Sequence, residues 1–204
     1  MAPNRREQLT PSAPRLLFFA GSQREASLNK RLARLGADIA DANGIAATFA
    51  DLGDYPMPLY DGDLEARDGP PENARKLEAL LRVHTGVFIA CPEYNASITP
   101  LLKNTLDWIS RIKGDDGKQT DVFKTRVFAL GSSSSGGMGG LRALNAVRPV
   151  LELGLGALVL PDQFAVPRAL EAYDDHGHLK NKESQESFKA LIQKLARAAH
   201  VLHG

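Results

Sequence analysis

Apolar residues along the chain follow two alternating rhythms: short continuous runs, and stripes at helical spacing. Arg15 to Ala20 (RLLFFA) is a continuous run, as a strand buried on both faces requires. Leu28, Leu32, Leu35 and Ile39 then recur at helical spacing, with Ser27 placed to cap and Gly44 to stop. Ile45 to Asp51 reads as a second strand. Leu52 to Gly69, with Pro56 and Pro58, reads as a long loop, of a length more often functional than idle. Leu77, Leu80 and Leu81 mark a second helix, entered through Pro70 and Pro71. Gly86 to Ala90 is a third strand, followed by a helix with Leu101, Leu102, Leu106 and Ile109 on one face. Val127 to Leu130 is a fourth strand that runs into a Gly/Ser-rich stretch, Gly131 to Gly140. Leu141, Leu144 and Leu151 stripe a fourth helix, which Pro149 is expected to kink or split. Ala157 to Leu160 is a fifth strand, and Phe188, Leu191, Ile192, Leu195 and Leu202 make a terminal helix. Strands alternating with helices predict an α/β domain with a parallel sheet covered on both faces. Such sheets bind ligands beyond the carboxyl ends of their strands. Chemistry is therefore expected in the loops after strands one, three and four.

Composition narrows the class. The 204 residues suit one ordinary domain, expected over residues 14–204 behind a flexible, proline-containing N-terminal tail, residues 1–13. Lys+Arg 25 against Asp+Glu 24 leaves a net charge of +1, which argues against a nucleic-acid coat. The single cysteine, Cys91, excludes an internal disulfide and any multi-cysteine metal site. The longest early apolar run, Leu16 to Ala20, is too short for a signal peptide or a membrane span. A cytoplasmic protein with no membrane partner is expected.

Three runs carry candidate chemistry. In Gly21-Ser-Gln-Arg-Glu-Ala-Ser-Leu-Asn29, two hydroxyls, a guanidinium and the amides of a helix start converge as an anion site. Arg24 adds forked donors suited to phosphate. The same residues also fit a capped helix with a surface arginine. The run lacks G-x-G-x-x-G, and the chain lacks G-x-x-x-x-G-K-[ST], so neither a dinucleotide fingerprint nor a P-loop is present. In Cys91-Pro-Glu-Tyr-Asn-Ala-Ser97, Pro92 holds the backbone extended, Tyr94 offers an aromatic face and Asn95 both donors and acceptors. That set suits a flat heteroaromatic ring. The serines and glycines of Ser132 to Gly140 permit close backbone approach to a ligand, and equally a flexible connection.

The conjunction of these runs resembles the NADPH-dependent FMN reductase family of flavodoxin-like flavoproteins. The resemblance is carried by Gly21 to Asn29 and more specifically by Pro-Glu-Tyr-Asn-Ala-Ser-Ile-Thr-Pro-Leu-Leu-Lys-Asn-Thr-Leu-Asp-Trp, Pro92 to Trp108. It implies a flavodoxin-like doubly wound sheet of five parallel strands in the order 2-1-3-4-5. It implies FMN as cofactor and NADPH or NADH as co-substrate, with quinone, azo, flavin or metal-oxyanion acceptors. It implies that Ser22, Arg24, Ser27 and Asn29 hold the FMN phosphate. Pro92, Glu93, Tyr94 and Asn95 would line the ring, and Ser132, Gly136 and Gly137 would close its other side. A homodimer or homotetramer is implied too; the loop Leu52 to Gly69, with Tyr55, Met57 and Tyr60, is expected to be exposed in a monomer and to wall the acceptor site.

The flavin carries the chemistry in such a protein, so no catalytic acid or base is assigned. Lys103, Asn104, Asp107 and Trp108 match the family motif but read as helix packing and polar contacts. Cys91 reads as a small buried hydrophobe rather than a redox thiol. The histidines do not cluster, and no metal site is expected. Two rivals stand beside the reductase: a flavodoxin-type electron carrier, which the +1 charge disfavours because such carriers are strongly acidic, and a scaffold of the same architecture without flavin.

Overall fold

The computed structural model describes residues 13–114 and 116–203. The tail expected over residues 1–13 lies outside them, Ala13 apart. Five strands, β1 (Arg15–Ala20), β2 (Ala46–Ala50), β3 (Gly86–Ala90), β4 (Val127–Ser133) and β5 (Leu158–Val166), pair in parallel in the order β2-β1-β3-β4-β5. Between and after them lie α1 (Leu28–Ala42), α2 (Gly62–Asp68), α3 (Glu72–Val83), α4 (Pro100–Ser110), α5 (Leu141–Pro149), α6 (Ala169–Ala172) and α7 (Lys182–His203). Strand alternation splits the core. Leu16 and Phe18 face α1 and α7, packing with Leu32, Phe188 and Ile192. Leu17 and Phe19 face the other layer, with Leu81 of α3, Leu106 of α4 and Leu144 of α5. The flavodoxin-like doubly wound sheet expected from the sequence is the one observed.

The elements differ from the sequence pattern in three places. First, β4 continues through Gly131 to Ser133, which pair with Phe164 to Val166 of a nine-residue β5. Gly131 is needed there: a Cβ on it would lie 2.5 Å from the Phe88 ring. Second, the segment expected as an open loop contains a 3₁₀ turn (Leu52–Asp54) and α2, a polar helix with no buried residue and hence no apolar stripe to reveal it. Asp61 Oδ1 caps α2, accepting from Asp63 N (2.7 Å) and Leu64 N (3.2 Å). Third, a four-residue helix, α6, follows β5 with no apolar stripe to announce it, whereas Pro149 splits the fourth helix as expected, ending α5 before a π-helical turn, Val150–Gly154.

The aromatic and methionine side chains expected to stand exposed in the second segment are instead half-buried on their own chain. Tyr60 and Met57 pack with Ala74, Trp108 and Ile112, and the Tyr60 ring stands 5.0 Å from that of Trp108. Trp108 Nε1 (2.8 Å) and Asn104 Nδ2 (2.9 Å) both donate to the Pro58 carbonyl, and Tyr60 N donates to Asn104 Oδ1 at 2.7 Å. The helix-packing reading of Asn104 and Trp108 takes this concrete form: they strap the segment to α4. Lys103 pairs with Asp107 one turn on, at 2.7 Å.

Candidate functional site

At the carboxyl edge of the sheet, the loops after β1, β3 and β4 meet around a cavity of about 360 Å³. Backbone bonds hold the strand ends in step: Gly21 N donates to Ala90 O (3.0 Å) and Cys91 N to Gly131 O (2.7 Å). Thr99 ties in α4, donating to Gly21 O at 2.7 Å while its hydroxyl caps Leu102 N. Parallel pairing thus forces the three runs singled out in the sequence to converge.

The β1 loop forms one wall. Ser27 caps α1, its Oγ accepting from Lys30 N at 3.3 Å. The amides of Ala26 to Asn29 donate to no other group among the described residues, so they remain free donors at the positive end of the helix dipole. Ser22 is buried, with its Oγ accepting from Arg24 N at 3.3 Å, and the Arg24 side chain is exposed on the cavity wall. Lys30 fixes the loop from behind: its Nζ donates to Gln23 O (3.2 Å) and pairs with Asp51 at the end of β2 (2.7 Å). Burial works to raise the Asp51 carboxyl. The Lys30 hydrogen bond and charge, helped by the Gly53 amide and Arg34, outweigh it and hold the group below its ordinary value.

Asn29 also lines the cavity, but both ends of its side-chain amide are engaged. Its Nδ2 donates to Ser133 O (2.8 Å) and its Oδ1 accepts from Ser133 N (3.0 Å), a two-bond clamp between α1 and β4 with the side chain buried. Ser133, Ser134 and Ser135 line the cavity beside Leu170 of α6. Ser132, one residue earlier, points to the opposite face of β4; it is fully buried, its Oγ has no hydrogen-bond partner, and it faces Gly140. Gly136 and Gly137 lie in the exposed loop beyond the lining residues. The three lining serines belong to the run singled out in the sequence, but alternation at the end of β4, not composition, turns Ser133 toward the cavity and Ser132 away from it.

The β3 loop forms the second wall, with Pro92, Glu93 and Tyr94 on the cavity. Glu93 bridges to the start of α5, accepting from Arg142 Nε (2.6 Å) and Arg142 N (3.2 Å). Tyr94 and Ser97 exchange both backbone bonds at 3.0 Å around a two-residue turn. Both turn residues have positive φ, Asn95 at 51° and Ala96 at 64°. Asn tolerates that conformation and Ala tolerates it less well, so the turn is a strained, defined corner beside the site. Asn95 itself is exposed and outside the lining. Cys91 is wholly buried, and burial pushes its thiol up to about 12, far from the range of a reactive thiolate.

The cavity therefore offers free helix-start amides, a guanidinium and hydroxyls at one end, and an aromatic and backbone surface at the other. This is the donor set for a phosphate joined to a flat ring. The family model for NADPH-dependent FMN reductase matches residues 14–171. The chain belongs to the NADPH-dependent FMN reductase family. It is an oxidoreductase that works with FMN and NAD(P)H. Over 96% of its length it is 31% identical to a probable NADPH:quinone oxidoreductase 2 of Oryza sativa, 93% of which is covered. A quinone reductase of Pseudomonas putida is 32% identical over 86% of this chain and 89% of its own. Among solved structures, the NAD(P)H:acceptor oxidoreductase of Paracoccus denitrificans superposes with a TM-score of 0.74 at 23% identity, covering 94% of this chain and 99% of that one. That likeness is one of fold.

Proposed function

We propose that FMN sits with its phosphate in the β1-loop cradle and its ring against Pro92 to Asn95, and that the site serves small-molecule acceptors, quinones foremost. The observation that carries this reading is the row of unpartnered amides at the start of α1, beside Arg24 and Ser22. The chemistry that bound FMN would supply there is two-electron hydride exchange between nicotinamide and acceptor. The chain supplies position and field. Arg24 and the helix-start amides neutralise phosphate charge, and Ser27 keeps the helix start in place. Pro92 and Glu93 hold the β3 loop rigid through the Arg142 bridge. Asn29 acts as a positioning residue, setting α1 against Ser133 to Ser135.

The active form proposed is a cytoplasmic homodimer or homotetramer. Among the described residues no helix is long and apolar enough to cross a membrane. Exposed Tyr94 (46%) on the cavity wall, with Leu59 (77%) and Met138 (53%) elsewhere on the surface, supplies apolar area for a second copy. Light scattering that returns a 22.1 kDa species with full turnover would refute the oligomer.

Because Pro92 to Tyr94 and the lining serines cover one side of the cavity, donor and acceptor take turns on the open side. Anaerobic mixing of the FMN-loaded protein with NADPH or NADH is expected to bleach the visible flavin band without acceptor. Steady-state plots at several acceptor concentrations are then expected to be parallel. Intersecting lines point to separate sites, and no bleaching by either nucleotide overturns the reductase reading in favour of an electron carrier reduced by a partner protein.

A further inference from the structure

A second groove runs down the outer face of α1, on the other side of its N-terminus from the flavin cavity. It encloses about 490 Å³ and meets that cavity at Ala26, Ser27, Leu28 and Leu170, which line both. The size is that of a small-molecule site. Its walls come from successive turns of α1 and from the His176–Gly177 turn between α6 and α7.

Two arginines dominate the groove. Arg31 and Arg34 are neighbours on the helix surface, and both line it. Each guanidinium lies over an aromatic ring of its own chain, Arg31 at 5.2 Å from the Tyr173 centroid and Arg34 at 4.2 Å from that of Phe49. Stacking fixes each fork without occupying its N–H donors. Arg31 forms no ion pair among the described residues. The carboxylate nearest Arg34, on Asp51, stands 3.9 Å away and is already held by Lys30 at 2.7 Å. Two oriented forks thus present open donors to the same groove. Leu28, Leu35 and the 75% exposed Leu170 add apolar surface beside them. Glu25, in the loop before α1, and Asp38, on α1, line the groove on either side of the pair in sequence.

A matching ligand carries one compact, multiply charged oxyanion beside a flat, largely apolar ring, and extends toward the flavin cavity. Its sugar hydroxyls or ring amine can donate to Glu25 or Asp38. We infer that this groove takes the 2′-phosphoadenosine end of NADPH, with Arg31 and Arg34 gripping the 2′-phosphate. The inference rests on the FMN reading above and deepens it, because NADH carries only a hydroxyl where the phosphate would sit. NADPH is then the preferred donor.

Kinetics of the FMN-loaded protein with both nucleotides test it, with a saturating benzoquinone as acceptor. The wild-type ratio of kcat/KM for NADPH over NADH is expected to exceed about tenfold, and Arg31→Ala and Arg34→Ala are each expected to lower that ratio about tenfold or more. Adenosine 2′,5′-bisphosphate is expected to compete with NADPH at concentrations at least about tenfold below those needed for 5′-AMP. The bisphosphate measurement uses wild-type protein, so it stands even if a variant misfolds. A wild-type ratio of one or below, a ratio unchanged in both variants, or equal inhibition by the two adenosine compounds overturns the inference. Bleaching of the wild-type flavin by NADH reads the underlying proposal separately: if the band bleaches while the ratio does not move, only the groove assignment falls.

Discussion

Replacing Asn29 by alanine separates two roles for one side chain. The family resemblance gives Asn29 to the FMN phosphate; the geometry gives both ends of its amide to the backbone of Ser133, at 2.8 and 3.0 Å. Asn29 and Ser133 are 5% and 3% exposed, so water reaches the freed groups poorly. Losing two such bonds removes about 0.5–1.5 kcal/mol each, and an inadequately hydrated N–H and C=O adds about 1–3 kcal/mol apiece at the upper limit. Partial rehydration at the cavity mouth brings the expected loss to about 2–4 kcal/mol for Asn29→Ala. In a chain of this size that is a fall of about 4–16 °C in melting temperature. The measurement is urea and thermal unfolding of FMN-free protein by circular dichroism, paired with an FMN titration followed by flavin fluorescence. A positioning role lowers stability without FMN present, and weakens FMN binding as a consequence of the displaced α1. If Asn29→Ala melts within about 1 °C of wild type while its FMN affinity drops tenfold, the clamp carries little energy and Asn29 touches phosphate directly.

Arg24→Ala is expected to weaken FMN binding about ten- to a hundredfold while leaving the melting temperature of the FMN-free protein unchanged, since the side chain is exposed. Gly140 takes φ +88°, and a Cβ there would meet Ser132 Oγ at 1.9 Å and Ser132 Cβ at 2.8 Å. Gly140→Ala is therefore expected to lose about 2–4 kcal/mol in urea unfolding, whereas Ser132→Ala, which deletes an unpartnered buried hydroxyl, leaves FMN-free stability equal or higher. Burial lowers the His84 pKa, against the opposing pull of its bond to Leu80 O (2.6 Å), and Thr48 Oγ1 lies 2.9 Å from the other ring nitrogen. The unfolded chain thus takes up a proton below the ordinary value of 6.5 that the folded chain refuses, and stability falls as pH drops through that range. Urea midpoints between pH 7.5 and 5.5 read this slope, and His84→Gln is expected to flatten it.

Much of this protein is legible locally. A parallel strand buried on both faces must be a continuous apolar run, so Arg15 to Ala20 and Gly86 to Ala90 announce themselves without reference to any partner. Helix stripes and caps are equally local, and the Ser27 cap sits where the pattern places it. Once strands and helices alternate, the functional edge follows from topology, and the runs at Gly21 and Pro92 fall on it. Tertiary structure decided what depends on distant partners. Gly131 to Ser133 join β4 because Phe164 to Val166 lie alongside to pair with them, and that pairing turns Ser133 toward the cavity and Ser132 away from it. Asn29 has the chemistry of a phosphate ligand in the sequence; a chain segment 104 residues away takes its side-chain amide, while its backbone amide stays on the cavity. Tyr60 and Met57 look exposed in a loop until α4 offers Trp108 to cover them. In each case the residue type is compatible with two environments, and the non-local contact selects one.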